Sequence, residues 1–319
     1  MSQGSYQERK APAGLAVAAV AGAGRAAALD ARIRTDSLWL LTWRRFLRHR
    51  AAIVSLVVLA LIVAVMFGSA LWIGSEAART GVDLDNINAP PSLAHPMGTD
   101  QAGADVLVRI LLGGRVSLTV GFLAMVLAMT LGAFVGAFSG YYGGWVDAVL
   151  MRITDTMLSV PLLLVVVILA SVLRGIFDTV LVIIIVIGIT NWMTVARIVR
   201  ANFLSLRNKE FVEAARCIGA DNQRIIFRHV LPNTMAPIIV AATLEVANAI
   251  LLEAYVSFLG QGIQPPTPSW GNMISGAQEV IYRAPWLAIF PGLMITLTVL
   301  SINFIGDGLR DALDPHRKL

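Results

Sequence analysis

Long uncharged stretches alternate with short, densely charged ones along this chain. Residues 51–75, 116–146, 156–173, 179–196 and 284–306 contain no Asp, Glu, Lys or Arg. A sixth apolar stretch, 235–259, is interrupted by Glu245 and Glu253 alone. A bilayer core about 30 Å thick is crossed by about 20 apolar helical residues, so each stretch predicts one span. The 116–146 run is longer than one crossing and carries Gly140, Gly143 and Gly144 near its end, which places its span at about 116–139. The spans are thus about 51–75, 116–139, 156–173, 179–196, 235–259 and 284–306.

Composition agrees. The chain has 319 residues, of which 57% are hydrophobic and 14% charged, and its mean hydropathy is +0.73. A soluble chain is about half apolar and about a quarter charged. Lys and Arg set the expected orientation, because they accumulate on the cytoplasmic side. With the N-terminus inside, the first 50 residues carry nine, the segment after span 4 carries seven, and the C-terminal tail three. Both termini are therefore expected in the cytoplasm, with residues 307–319 as the C-terminal tail. The net charge of +5 is accounted for by basic loops against anionic lipid and calls for no nucleic acid.

Residues 1–36 are rich in Ala, Gly and Arg and poor in large apolar side chains, the composition of a disordered cytoplasmic tail. The "GAGRAA" stretch within it lacks the strand and βαβ unit that a dinucleotide fingerprint requires. Residues 37–50 follow as an amphipathic helix for the membrane interface, with Trp39 and Trp43 near Arg44, Arg45, Arg48 and Arg50. Residues 104–114 read as a second short amphipathic helix, on the external side. The external segment 260–286 is stiffened by Pro265, Pro266 and Pro268. One membrane domain covers 51–306.

The most punctuated stretch is "EAARCIGADNQRIIFRHVLPN", inside the polar loop 197–233. Residues 210–218 lack helix breakers, and Gly219 suits the position just past a helix end. Asp221 can cap a second helix, which Pro232 is expected to stop. Two short helices with a glycine corner make either a docking knob or a capped, solvated loop. In the first case Ala214 and Ala215 would allow close approach, while Glu213, Arg216 and Arg224 would fix register by charge.

That pattern, with Glu213, Ala214, Ala215, Gly219, Leu231 and Pro232 at their spacing, resembles the EAA loop of ABC importer permeases. The "RHVLPN" close, with "HPMGTDQAGADVLVRILLGGRVSL", "GYYGGWVDAVLMRITDTMLSVPLLL", "EAYVSFLGQGIQPPTPSWG" and "GDGLRDALDP", resembles the dipeptide, oligopeptide and nickel branch. "WRRFLRHRAAIVSLVVLAL" is similar to its C-type subunits. The resemblance covers about residues 36–316.

It implies an all-α integral membrane protein with six transmembrane helices and the type I ABC importer permease fold, in the plasma membrane of a prokaryote. The EAA loop would be the coupling helix, seated in a separate ATPase subunit. Glu213, Ala214, Ala215, Arg216, Gly219, Asp221, Arg224, Leu231 and Pro232 are then its coupling residues. No G-x-x-x-x-G-K-[ST] sequence is present, so ATP and Mg belong on partners. Those partners would be a homologous B-type permease, two ATPase subunits or one fused ATPase, and an external substrate-binding protein. The cargo would be a dipeptide or oligopeptide, with nickel chelates or haem-like compounds as alternatives within the same architecture.

Polar residues inside the spans are functional candidates because they are costly there. Glu245, Asn248 and Glu253 fall within an arc of about 140° on one helix at 100° per residue, and Asn191 lies in span 4. They read either as a substrate-pathway lining or as interhelical hydrogen bonds. Glu245 and Glu253 as ion sites of a secondary transporter form the rival reading. Arg152 and Asp155 are spaced to pair along one helix. Asp307, Arg310, Asp311 and Asp314 could meet the coupling loop or an ATPase. No catalytic group is expected. The histidines, His49, His95, His229 and His316, form no ligand cluster, so no metal site is expected. The single Cys217 permits no intrachain disulfide.

Overall fold

The computed structural model describes residues 38–69 and 84–314. The expected N-terminal tail, the Trp39 side chain and residues 315–319 lie outside them.

The described residues form helices and short turns. α1 (Leu38–Phe46) and α2 (Arg50–Gly68) open the chain. α3 (Val106–Tyr142), α4 (Gly144–Ser159), α5 (Leu162–Leu173) and α6 (Thr179–Leu206) follow. α7 (Glu210–Cys217), α8 (Asn222–Arg224), a π-helical stretch at Ile225–Val230 and α9 (Leu231–Asn233) make up the polar loop. α10 (Met235–Phe258), α11 (Trp270–Ala277) and α12 (Trp286–Leu313) complete it.

Five helices, α2, α3, α6, α10 and α12, are long and apolar enough to cross a membrane. The pair α4–α5 passes the same test only when taken together, across a bend of 89°, and counted as one broken span it makes six. The expected span 156–173 is therefore interrupted at Val160 and Pro161. Pro161 caps the start of α5 and Val160 ends α4 in an extended conformation. A residue before proline is driven out of the helical region, and that restriction sits at the bend.

The expected separate helix at 104–114 is also corrected, because it is continuous with the second span. Asp105 caps it by accepting from the Leu107 and Val108 amides, at 2.8 and 3.2 Å. Nothing between Val106 and Tyr142 breaks the helix, and at about 1.5 Å per residue it runs well past the bilayer core.

α3 and α6 pack along a glycine seam. A Cβ on Gly132, Gly136 or Gly140 would lie 2.5 Å from Val195 Cβ, 2.4 Å from the Ala196 carbonyl oxygen and 2.6 Å from Phe203 Cβ, respectively. The four-residue spacing puts all three on one face, where backbone contact replaces the hydrophobic drive that lipid does not supply.

Near the start of α4, Asp147 receives Arg200 Nε and Nη2 at 2.5 and 2.6 Å, and also the Ser139 hydroxyl. Asp155 pairs with Arg197 at 2.5 Å, rather than with Arg152 as the spacing suggested. The partner across the α4–α6 interface takes the carboxylate that a neighbour on the same helix was expected to take.

α1 lies against the end of α12. Arg45 donates to the Asp314 carbonyl at 3.1 Å, and His49 Nε2 stands 4.0 Å from Asp311. The acidic end of α12 thus meets α1. Six crossings place α1, the polar loop and the end of α12 at one end of the bundle.

Candidate functional site

The polar loop supplies one candidate surface. α7 ends in a paired hydrogen-bond closure: the Gly219 amide donates to the Arg216 carbonyl and the Ala220 amide to Ala215, each at 3.0 Å. Gly219 has φ +84°, a conformation that glycine adopts without a Cβ penalty. Asp221 Oδ1 accepts from the Arg224 amide at 3.3 Å, as its capping role requires. The second helix differs from expectation. It widens to a π register before Pro232, and Pro232 sits inside the following helical turn rather than ending it. The Leu231 amide reaches back to Ile226. This wider turn accommodates a residue that has no N–H to give.

The loop has an inner and an outer face. Val212, Ala215, Ile225, Ile226 and Val230 are buried against Tyr141 and Phe203, with Leu231 half-buried beside them. Glu213, Ala214, Cys217, Gly219, Asp221, Arg224 and Pro232 are exposed. Ala214 and Ala215 therefore divide: Ala214 can admit a partner, and Ala215 is core at 4% exposure. Arg216 is exposed, but its guanidinium lies 5.7 Å from the Tyr141 ring centroid. Tyr141 in turn donates to Asn222 at 2.8 Å. That contact anchors the loop to α3. Ile218 was not singled out in the sequence, yet it is 85% exposed at the corner. An isoleucine directly before a left-handed glycine was the available signal.

The second candidate surface is a groove of about 700 Å³ between the α4–α5 bend, α6 and α10. Asn191, Glu245 and Asn248 line it together. Asn191 Nδ2 donates to Glu245 Oε1 at 2.5 Å, and Asn248 follows one turn along α10 on the same groove wall. Met157, Leu162 and neighbouring residues of the bend form one wall.

Glu253 lies elsewhere. It is fully buried and receives the Ser117 and Ser257 hydroxyls at 3.0 and 2.8 Å. Ser117 also accepts from the Trp270 amide, and Ser257 from the Ile263 amide. Glu253 thus ties α3, α10 and the 260–270 segment together, outside the groove that Glu245 lines. The 140° arc admitted both arrangements, since residues 60° and 80° to either side of Glu245 can face different neighbours.

His95 Nδ1 contacts Asp105 Oδ2 at 2.9 Å, a pairing that positions the loop before α3. Among the described residues no group of three His, Cys, Asp or Glu is placed to hold a metal.

Residues 128–319 match the family described as "binding-protein-dependent transport system inner membrane component". Residues 37–91 match the "N-terminal TM domain of oligopeptide transport permease C". A protein of Brucella suis biovar 1, provisionally named a peptide permease, is 44% identical over 278 residues, covering 86% of this chain and 90% of that one. The glutathione transport system permease protein GsiD of Escherichia coli O6:H1 is 42% identical over 301 residues, covering 92% and 97%. The inward-facing MetNI methionine ABC transporter, in one crystal form, aligns with a TM-score of 0.55 at 20% identity over 66% of this chain and 96% of that one. That likeness concerns the fold, and it is the type I importer permease fold that the resemblance implied. The family match spans more than half the chain and includes the polar loop, the broken crossing beyond residue 143 and α10. The chain belongs to the binding-protein-dependent transport system inner-membrane components, as an ABC importer permease subunit.

Proposed function

We propose that this chain is one of two membrane subunits of an ATP-driven peptide importer, and that α7 is its coupling helix. The observation that carries the reading is the outer face of the polar loop. A rigidly cornered helix presents Glu213, Ala214, Cys217 and Ile218 at one end of the bundle, while its inner face is locked to α3 and α6. An exposed isoleucine beside small and charged residues is the composition of a surface that a groove covers. The bias of Lys and Arg toward this end supports a cytoplasmic position for it. ATP and Mg act on the docked ATPase subunits, two separate or one fused, and the chain itself does no bond chemistry. A homologous B-type permease closes the open side of the Glu245 groove, and an external binding protein delivers cargo. Peptide cargo is supported by the names of the relatives. A nickel chelate or haem-like cargo would use the same architecture.

The internal geometry offers a route for movement. α7 follows α6 after Leu206 with only Arg207, Asn208 and Lys209 between. Arg197 and Arg200 of α6 hold Asp155 and Asp147 of α4. α4 leads into the bend that walls the groove. A shift of α7 would therefore reach the groove wall through two ion pairs rather than through a flexible loop.

Cys217 is exposed on α7, which gives a direct test. In the assembled complex it should crosslink to a cysteine introduced in the ATPase groove, and docked ATPase should slow its reaction with a thiol reagent. Equal labelling with and without the ATPase would contradict docking at this helix.

A further inference from the structure

The groove between the α4–α5 bend and α10 contains one carboxyl group and no opposite charge. Among its described lining residues there is no Lys, Arg or His. Half of the lining residues are leucine, valine or methionine. Glu245 is the eleventh residue of the 24-residue α10, so it sits about 15 Å along that helix, near mid-depth. Its hydrogen-bond partner Asn191, and Asn248 one turn along α10, are neutral amides, and neither can cancel a charge on it. Arg197, six residues beyond Asn191 on α6, is paired with Asp155. Glu253, the other carboxylate of α10, is enclosed by serines away from this surface.

The geometry points to the groove as a cation-selecting half-site: Glu245 receives an ammonium or guanidinium group of the cargo, and the apolar walls take its uncharged side chains. For a peptide this group is the N-terminal ammonium or a Lys or Arg side chain. Anionic cargo meets a carboxylate with no compensating cation on this wall. Naming the cargo group rests on the peptide-permease reading, whereas the cation preference of the groove does not.

The test uses Thr194, which lines the groove and is exposed. In the assembled complex, with Cys217→Ser as background, Thr194→Cys is reacted with a cationic ethylammonium methanethiosulfonate and with its anionic ethylsulfonate counterpart. The ratio of the two rates is divided by that for free 2-mercaptoethanol. A preference of about tenfold for the cation is expected, a modest value for a unit charge at groove distance. Glu245→Gln should bring the ratio to about one, and Glu245→Asp should keep most of the preference. A ratio of about one in the parent, or one unchanged by Glu245→Gln, would overturn the proposal. If Glu245→Gln does not assemble, the parent ratio at Thr194→Cys decides alone, and a ratio of about one overturns it. A parallel uptake assay compares trilysine with triglutamate. A cation preference in labelling without ATP-driven uptake of either peptide would sustain the half-site and contradict the peptide reading instead. Faster uptake of triglutamate would contradict the half-site.

Discussion

Gly136→Leu is expected to abolish accumulation of the assembled complex. The side chain would begin 2.4 Å from the Ala196 carbonyl oxygen, 2.8 Å from Val199 Cβ and 3.0 Å from the Arg200 amide nitrogen. Two of these three atoms belong to helix backbone, so no rotamer change clears them. α3 and α6 must separate, and Gly132 and Gly140 on the same seam lose their contacts too. Overpacking in a close-packed interior costs about 1–3 kcal/mol, occasionally more. Here a displaced α6 also carries Arg197 and Arg200 away from their carboxylates. In lipid, no hydrophobic drive between helices compensates. Gly292→Leu is the matched control, because nothing lies within 4 Å of a Cβ there. Fluorescence-detected size exclusion of the tagged chain should show a normal complex peak for Gly292→Leu and little or none for Gly136→Leu. Equal peaks would show that the seam tolerates a side chain and that the α3–α6 packing is described wrongly.

Gly219→Pro is expected to leave the bundle folded and disconnect it from ATP hydrolysis. Proline holds φ near −65°, whereas this position has φ +84°. It also removes the amide that donates to the Arg216 carbonyl. No Cβ clash arises at Gly219, so the damage lies in the direction of the corner rather than in the core. Forced, sparsely populated backbone costs about 1–3 kcal/mol per residue. The loop can avoid that cost by unwinding the end of α7, which moves Cys217 and Ile218. Purified complexes should retain their membrane assembly, while uptake per ATP hydrolysed falls by about tenfold or more, the change that 1.4 kcal/mol represents. Gly219→Ala should give a smaller loss, since alanine visits the left-handed region at a cost of about 1–2 kcal/mol. Normal coupling in Gly219→Pro would remove the corner from the mechanism.

Much of this architecture was legible in the chain because membrane crossing imposes a simple rule. The apolar runs, the Gly219 corner and the Asp221 cap all follow from local chemistry, and each occurs in the structure. What was missed depends on neighbours distant in sequence. Asp147 and Asp155 find Arg200 and Arg197 across more than 40 positions, and no helical spacing encodes such a partner. The division of Ala214 from Ala215 is set by where α3 and α6 end. Glu253 looked like Glu245 because both are carboxylates in one apolar helix. Only the hydroxyls of Ser117 and Ser257 separate a structural tie from a groove-lining group. Two misses had visible signals. Pro161 lay inside an uncharged run that was read as one span, and Gly132, Gly136 and Gly140 recur every four residues along α3.

The groove and the coupling helix meet in one claim: partner ATP hydrolysis, and no ion gradient, drives cargo past Glu245. The measurement that tests it most directly is peptide uptake by proteoliposomes containing this chain, its partner permease and ATPases, with the external binding protein supplied outside. Uptake should require hydrolysable ATP on the ATPase side, stop with a non-hydrolysable analogue, and persist when proton and sodium gradients are dissipated. Uptake that continues without ATP and follows an imposed proton gradient would contradict the account.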